Sequence, residues 1–462
     1  MLMRAWSWLL VATASLLCPS TSAIELHIED EASIRDVAST IAYGVMSYYT
    51  FNASGTDPNL LGSFPRPYYW WEAGAVWGGM VDYWAYTGDR TYVNTTMQAL
   101  LAQVGPADNY MMPFRQAELG NDDQAFWGLA VLSALEYDFP SPPATSPQWL
   151  DLIEALWNTQ ASRWDMETCG GGLKWQIFSS NAGYNYKNAI SNGCFFQMSA
   201  RLARYTGNGT YSEWAERVWD WTRAIGLIDD NYYVYDGSDD TLNCSEINHL
   251  QWSYNAGVFL HGAAAMYNLT GASSEWEDRL TGLLEAASVF FSPFDNATNV
   301  MWEAACEAIG TCNTDQQSFK AYLARWLGKT AVLAAYTSSA ISTLLRASAE
   351  GAAASCSGGR SGVECGSKWY TGGWDGMRGL GQQLAALEVV QSLLINRIRD
   401  APDTEGNVTI TYGPTQTPTL GVPTRTRDVE TPGTSSGSRT TLLGIGTARY
   451  LSSFVINIIR FE

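Results

Sequence analysis

The sequence predicts an all-α fold, an (α/α)6 toroid of six helical hairpins with short β-hairpins on its rim. Three observations predict it. Helical periodicity runs from about residue 30 to residue 399. A Thr-Gly turn recurs between neighbouring helices, and helices rich in Gly, Ala and aromatic residues alternate with helices that carry a single apolar stripe.

Taken in order, the periodic segments number twelve, at about 30–50, 71–86, 90–104, 122–136, 147–164, 187–205, 210–225, 252–268, 273–290, 314–335, 337–350 and 378–398. Tyr86-Thr87-Gly88-Asp89 closes the second segment and the third follows at once. Tyr205-Thr206-Gly207-Asn208 and Asn268-Leu269-Thr270-Gly271 repeat the arrangement. Glycine suits the position just past a helix that must reverse direction, so these are αα-hairpins in a repeating array. The even-numbered segments, such as WEAGAVWGGMVDYW, WSYNAGVFLHGAAAMY and MRGLGQQLAALEVV, are apolar or small all round, as an inner ring requires. Odd-numbered ones, such as YSEWAERVWDWTRAI, have the one-sided pattern of an outer ring.

Six parallel inner helices open their N-termini on one mouth. The residues at those starts are Trp71-Glu72, Asp122-Asp123, Lys187-Asn188, Trp252 to Asn255, Ser318 to Lys320, and Trp374-Asp375 with Arg378. Polar and aromatic groups converge there, the composition of a glycan cleft. Helix capping alone accounts for the polar groups but not for the recurrent Trp. Gly- and aromatic-rich stretches, Leu173 to Tyr186 and Asp229 to Thr241, are expected to form the rim hairpins. Asp229, Asp230, Asp236, Asp239 and Asp240 lack the spacing of a calcium loop and read as turn residues near the cleft. His27, His249 and His261 are scattered; His261, on an apolar helix, reads as a hydrogen-bonded core histidine. No metal site and no cofactor are expected.

Net charge −19 and a pI near 4.6 exclude a nucleic-acid binder and argue against an anionic membrane surface. The 20 Trp and 24 Tyr supply flat apolar faces with a polar handle, on which sugars stack. Residues 1–23 read as a secretory signal, with Arg4 ahead of the apolar run Trp6 to Leu17. Sequons follow at Asn52, Asn94, Asn208, Asn243, Asn268, Asn296 and Asn407, the mark of a secreted glycoprotein. Cys18 leaves with the signal, and seven cysteines remain. Short spacings pair Cys306 with Cys312 and Cys356 with Cys365; Cys169–Cys244 is the long-range bridge, and Cys194 the buried free thiol. The catalytic domain thus spans 24–400. Residues 401–441, rich in Thr, Pro, Ser and Gly, read as a disordered stalk. Residues 442–462 form an apolar tail that resembles a GPI signal in outline, although Arg449 and the terminal Arg460-Phe461-Glu462 interrupt the pattern.

The chemistry centres on Gly120 to Leu135, GNDDQAFWGLAVLSAL. Glycoside cleavage needs one ionised carboxylate and one held protonated. Asp122, at a helix start, meets unpaired backbone N–H groups that favour its ionised form. Asp123, beside that charge and under aromatic cover, has its pKa pushed up. Asp122 is therefore the expected nucleophile and Asp123 the general acid/base. Successive helical side chains diverge by about 100°, so the pair is expected to flank the scissile bond without touching.

NDDQAFWGLAVLSALE, KNAISNGCFFQMSARLARYTG, QWSYNAGVFLHGAAAMY and MRGLGQQLAALEVVQSLL resemble glycoside hydrolase family 76, the endo-α-1,6-mannanases, over about residues 25–400. PYYWWEAGAVWG and FKAYLARWL, with the signal, stalk and tail, resemble its fungal cell-wall branch. The resemblance implies an (α/α)6 toroid and places the catalytic pair on Asp122 and Asp123. For that branch it implies recognition of the mannose core of a GPI anchor, or of α-1,6-mannan, and transfer to a β-glucan acceptor in the wall. Trp71, Tyr254 and Trp374 are the expected stacking platforms; Asn121, Asn188, Asn192, Asn255 and Lys320 are the expected hydroxyl or phosphate contacts. A monomer is expected, tied to membrane only through a GPI anchor. Two other readings compete: a non-catalytic glycan-binding wall protein on the same fold, and a lyase or epimerase, which the poverty in histidine disfavours.

Overall fold

The computed structural model describes residues 24–395, which lie within one compact unit. The signal segment, the stalk, the tail, Asn407 and residues 396–400 fall outside the described residues. Twelve α-helices lie among the described residues: α1 Glu31–Ser47, α2 Trp70–Thr87, α3 Val93–Ala102, α4 Asn121–Glu136, α5 Trp149–Ser162, α6 Ala189–Thr206, α7 Gly209–Ala224, α8 Ser253–Leu269, α9 Ser274–Ala286, α10 Phe319–Leu333, α11 Ser338–Ser355 and α12 Leu380–Gln391. Each even-numbered helix packs on the next, and α12 returns to α2, so the inner ring closes. The odd-numbered helices lean on it from outside, α3 on α2, α5 on α4, α7 on α6, α9 on α8, α11 on α10 and α1 on α12. This is the (α/α)6 toroid.

The hairpin turns follow the sequence logic. Gly88 and Gly207 end α2 and α6 in the left-handed region, φ 75° and 71°. At α8 the cap is Thr270, and Gly271, at φ 65°, makes the turn one residue later. Inner helices approach closely where one of them offers no side chain: a Cβ on Gly262 of α8 would sit 2.4 Å from the Phe196 ring of α6. Trp70, Trp127 and Tyr110 stack face to face between α2, α4 and the loop before it, with centroids 5.2 and 5.5 Å apart. Such rings bury about 150–250 Å² each and dominate core energetics.

The middle of the ring is charged. Arg325 pairs with Glu388 at 2.7 Å, Lys329 with Asp82 at 2.9 Å, and Lys329 also donates to the Ser133 hydroxyl at 2.8 Å. Buried pairs gain little net stability after desolvation, but removing one partner strands the other charge. The cluster therefore ties α2, α4, α10 and α12 to one register. His261 is buried, as expected of a core histidine, but its Nδ1 finds no hydrogen-bond partner among the described residues. Burial, with Arg201 and Lys329 nearby, holds its pKa well below the usual value, so it stays neutral.

The rim differs from expectation. The second stretch does enter a short hairpin, β2 with β3, but the first supplies only Tyr186 to a strand, β1, which joins the same hairpin instead of forming one of its own. β1 Tyr186–Asn188, β2 Gly237–Asp239 and β3 Ile247–Asn248 form one antiparallel sheet in the order β1-β2-β3, with Lys187 opposite Ser238 and Ser238 opposite Ile247. Disulfides join Cys169 to Cys244, Cys306 to Cys312 and Cys356 to Cys365, and Cys194 is buried with a free thiol. The sequons Asn52, Asn94, Asn208, Asn243, Asn268 and Asn296 are all on exposed residues.

Candidate active site

The N-termini of α2, α4, α6, α8 and α10 open on a cleft of about 500 Å³. Asp122 and Asp123 stand in the first turn of α4 on its floor. The helix starts at Gly120, whose N–H donates to Asp123 Oδ2 at 2.9 Å, so Asp123 closes a capping box as well as facing the cleft. Capping and exposure to the cleft thus fall on one side chain. A Cβ on Gly120 would lie 2.4 Å from Asp122 Oδ1 and 2.4 Å from Asp123 Oδ2. The two oxygens are therefore at most twice that distance apart. The expectation that the carboxyls stand apart without touching is corrected here: the side chains converge over a residue that has none.

Each aspartate keeps some surface open to the cleft, while protein packs densely around its carboxyl. Burial pushes Asp122 up to about 6, although its own N–H and that of Asp123 draw it back. The helix start alone was expected to favour ionisation; it moderates the effect of burial without cancelling it. Burial raises Asp123 further, and the Asp122 charge adds to the rise. The pair splits into a more acidic Asp122 and a less acidic Asp123, whose pKa stands well above the usual carboxylate range.

Of the other expected contacts, three line the cleft. Trp71 faces it and donates from Nε1 to Asp315 Oδ1 at 3.2 Å. Tyr254 lies flat on Phe319, 3.8 Å between centroids and 7° between planes. Asn188 ends β1 and caps α6, its Oδ1 accepting from Ser191 N–H at 3.2 Å.

Five others do not line it. Asn121 is buried, donating to Lys174 O at 2.8 Å and accepting from Arg163 at 2.8 Å, which pins the rim loop. Asn192 clamps Leu173 through its N–H at 2.8 Å and its carbonyl at 3.0 Å. Asn255 is buried, and its amide has no hydrogen-bond partner among the described residues. Lys320 is buried against Glu307 at 2.9 Å and above the Trp369 ring at 4.0 Å. Trp374 is 40 % exposed, and its Nε1 donates to Met377 O at 2.6 Å away from the cleft. Trp374 stays out because α12 starts only at Leu380, which leaves the ring in the loop before it, and for the other four the reason is common. Neighbouring residues in a first turn point about 100° apart, so a helix start offers one side chain to the cleft and turns the next toward its neighbours.

Other groups in the lining include Trp175, Tyr186, Asp236, Trp252, Asp315, Gln316 and Phe319. Asp236 accepts from the Tyr186 hydroxyl at 2.7 Å, and burial raises its pKa. Asp315 is likewise raised by burial. The acidic stretch 229–240 divides by role. Asp236 enters the cleft, Asp229 and Asp239 organise turns, and Asp240 pairs with Lys174. Lys187 points away from the cleft into a cage of the Asp165, Thr168 and Gly171 carbonyls and the Asp165 carboxylate, fastening the 163–174 loop. Periodicity could not reveal Trp175 or Tyr186, because rim loops carry none. Asp315 stood one turn ahead of a helix start that the sequence did mark.

The sequence profile described as Glycosyl hydrolase family 76 matches residues 33–406. The chain is 50% identical over 373 residues to mannan endo-1,6-alpha-mannosidase DCW1 of Candida glabrata, covering 80% of this chain and 82% of that protein. It is 46% identical over 457 residues to the protein of the same name from Eremothecium gossypii, covering 98% of each. Among solved structures it resembles Dfg5 from Chaetomium thermophilum in complex with glucosamine, with TM-score 0.76, 44% identity, and 80% of this chain and 92% of that one covered. An inactive variant of an alpha-1,6-mannanase from a Salegentibacter species, in complex with alpha-1,6-mannotetrose, shares the fold at TM-score 0.62 and 18% identity, covering 78% of this chain and 98% of that one. A closed inner ring, a carboxyl pair on the floor of an aromatic cleft, and these likenesses lead to one identification: the chain belongs to glycosyl hydrolase family 76 and is a glycoside hydrolase.

Proposed function

We propose that the protein is a retaining α-1,6-mannosidase that acts on the mannose core of a GPI-anchor glycan and transfers the released glycosyl group to wall glucan. The observation that carries this reading is the close pair Asp122 and Asp123 with its split acidity. An inverting pair stands about 6.5–9.5 Å apart to admit a water, whereas a retaining pair stands about 5–5.5 Å apart. Converging oxygens suit the closer spacing. The cleft lining holds carboxylates and aromatic rings, with no Lys, Arg or His among the described residues, which suits an uncharged sugar.

Asp122 carboxylate attacks the anomeric carbon while Asp123 gives its proton to the departing glycosidic oxygen, and the C–O bond breaks. Asp123, now ionised, takes a proton from the incoming hydroxyl. That oxygen attacks the glycosyl-enzyme and releases Asp122. Water as the incoming group gives hydrolysis; a sugar hydroxyl gives transfer. Placement of the chain outside the cell, by way of the signal, the exposed sequons and a GPI tail, belongs to the same proposal.

The deciding experiment offers the full chain, secreted from a eukaryotic host, a defined α-1,6-mannooligosaccharide or GPI-core glycan, with and without a β-glucan oligosaccharide. Products are read by mass spectrometry. Hybrid products establish transfer, and shortened ones alone establish hydrolysis. Binding without turnover would hand the case to a glycan-binding wall protein.

The pH profile follows from the two carboxyls. Asp122 must be ionised, so kcat/KM rises as pH climbs through about 6. Asp123 must be protonated, so kcat/KM falls again once pH passes its raised pKa. A profile that is flat from pH 4 to 7 would exclude this assignment.

A further inference from the structure

α8 begins without a side-chain cap, because the residue before it is Trp252 and an indole has no acceptor to offer. The acceptor comes instead from the 301–318 loop. Glu303, 1 % exposed, accepts the Ser253 N–H through Oε1 at 3.1 Å and the Ser253 hydroxyl through Oε2. Its own N–H donates to Glu307 Oε2 at 3.0 Å, and the same oxygen pairs with Lys320 Nζ at 2.9 Å. Lys320 is in the first turn of α10 and donates onward to the Ser367 carbonyl. The starts of two inner helices are thus bound from below to one buried relay, in a loop closed by Cys306–Cys312.

Above the relay lies the cleft. Trp252 and Tyr254 flank Ser253, and Phe319 precedes Lys320. Tyr254 and Phe319 stack in parallel with centroids 3.8 Å apart, and Trp252 meets Phe319 edge-on at 5.7 Å. All three line the cleft. Neither α8 nor α10 has a side-chain cap of its own; the Trp252 indole also bonds Asp236, and the Ser253 backbone that carries Trp252 and Tyr254 is held by the relay.

We propose that Glu303 is a positioning residue: it caps α8 from another loop and, with Glu307 and Lys320, holds Trp252, Tyr254 and Phe319 as one aromatic floor for the sugar. Its effect is on binding, since it touches no reacting atom. The turnover readout rests on the mannosidase reading; the binding readout does not.

The test compares Glu303→Ala, Glu303→Gln and Ser253→Ala in the full chain. It uses α-1,6-mannotetraose, following turnover and, in an Asp122→Asn background, equilibrium binding by calorimetry. Glu303→Ala should raise KM and Kd about tenfold while kcat falls less than about threefold. Glu303→Gln keeps an acceptor for the Ser253 N–H and should stay within about threefold of wild type in both. Ser253→Ala removes only the hydroxyl bond and should raise Kd about threefold; it serves if Glu303→Ala fails to fold. A lowered Tm with KM and Kd unchanged, or a Glu303→Gln protein as impaired in binding as Glu303→Ala, would overturn the proposal. If wild type binds the tetrasaccharide without cleaving it while the Kd series holds, the floor stands and the mannosidase reading falls.

Discussion

Replacing Asp122 with alanine or asparagine lowers turnover by about ten-thousandfold or more, because nucleophile and acid act as a unit and neither works alone. Asp123→Ala does the same on a natural glycan, whose leaving oxygen needs a proton. The two variants separate on an activated aryl α-1,6-mannobioside supplied with azide. In Asp122→Ala, azide enters from the face the carboxylate has left and gives the β-mannosyl azide. In Asp123→Ala, the glycosyl-enzyme still forms and azide gives the α-mannosyl azide. The anomeric configuration, read by NMR, assigns each role. The opposite pairing would exchange the two residues, and rescue of neither would remove the double-displacement mechanism. Stability is a weak guide at Asp123, since its bond to the Gly120 N–H is retained by an asparagine oxygen. Asn is therefore the better comparison for folding, and Ala for chemistry.

Gly120→Ala is the second large effect, and it arises without touching the catalytic groups chemically. Gly120 has φ −95° and ψ 167°, extended backbone that alanine adopts freely. Only space forbids the change. The new methyl would sit 2.4 Å from one oxygen of each aspartate and 3.1 Å from the Trp175 carbonyl. The carboxyls lie at the ends of side chains that can swing, so the fold survives and the pair is displaced by an ångström or so. A misplacement of about 1 Å costs about a hundredfold in rate. The expected result is kcat lowered about a hundredfold with Tm nearly unchanged and with both carboxyls present. Wild-type kcat in Gly120→Ala would show that the glycine does not set the pair.

The helices were legible because their cause is local. Inner segments are apolar all round, outer ones on one side, and Gly88 and Gly207 turn the chain where the sequence marks a reversal. The order of six hairpins then leaves little choice of architecture, since a ring is how six two-sided inner helices bury themselves. The aspartate pair was legible for a related reason: two adjacent acids opening an apolar helix are costly to bury, and the chain places them at a helix start. Cysteine spacing likewise indicated the pairs Cys306–Cys312 and Cys356–Cys365.

Much of the cleft was not legible. Asn121, Asn192, Asn255 and Lys320 belong to the same helix starts as the cleft residues, and nothing in their spacing says which way each one turns. Asp236 and Tyr186 meet only because β1 and β2 pair across 50 residues of chain. Glu303 reaches Ser253 across another 50. By itself the sequence determined the helices, their pairing and the place of two adjacent carboxyls at a helix start, all of which follow from neighbours along the chain. Only the tertiary structure decided how close those carboxyls stand, how far burial moves their acidity and which rings line the cleft, because distance, desolvation and orientation are set by residues remote in sequence.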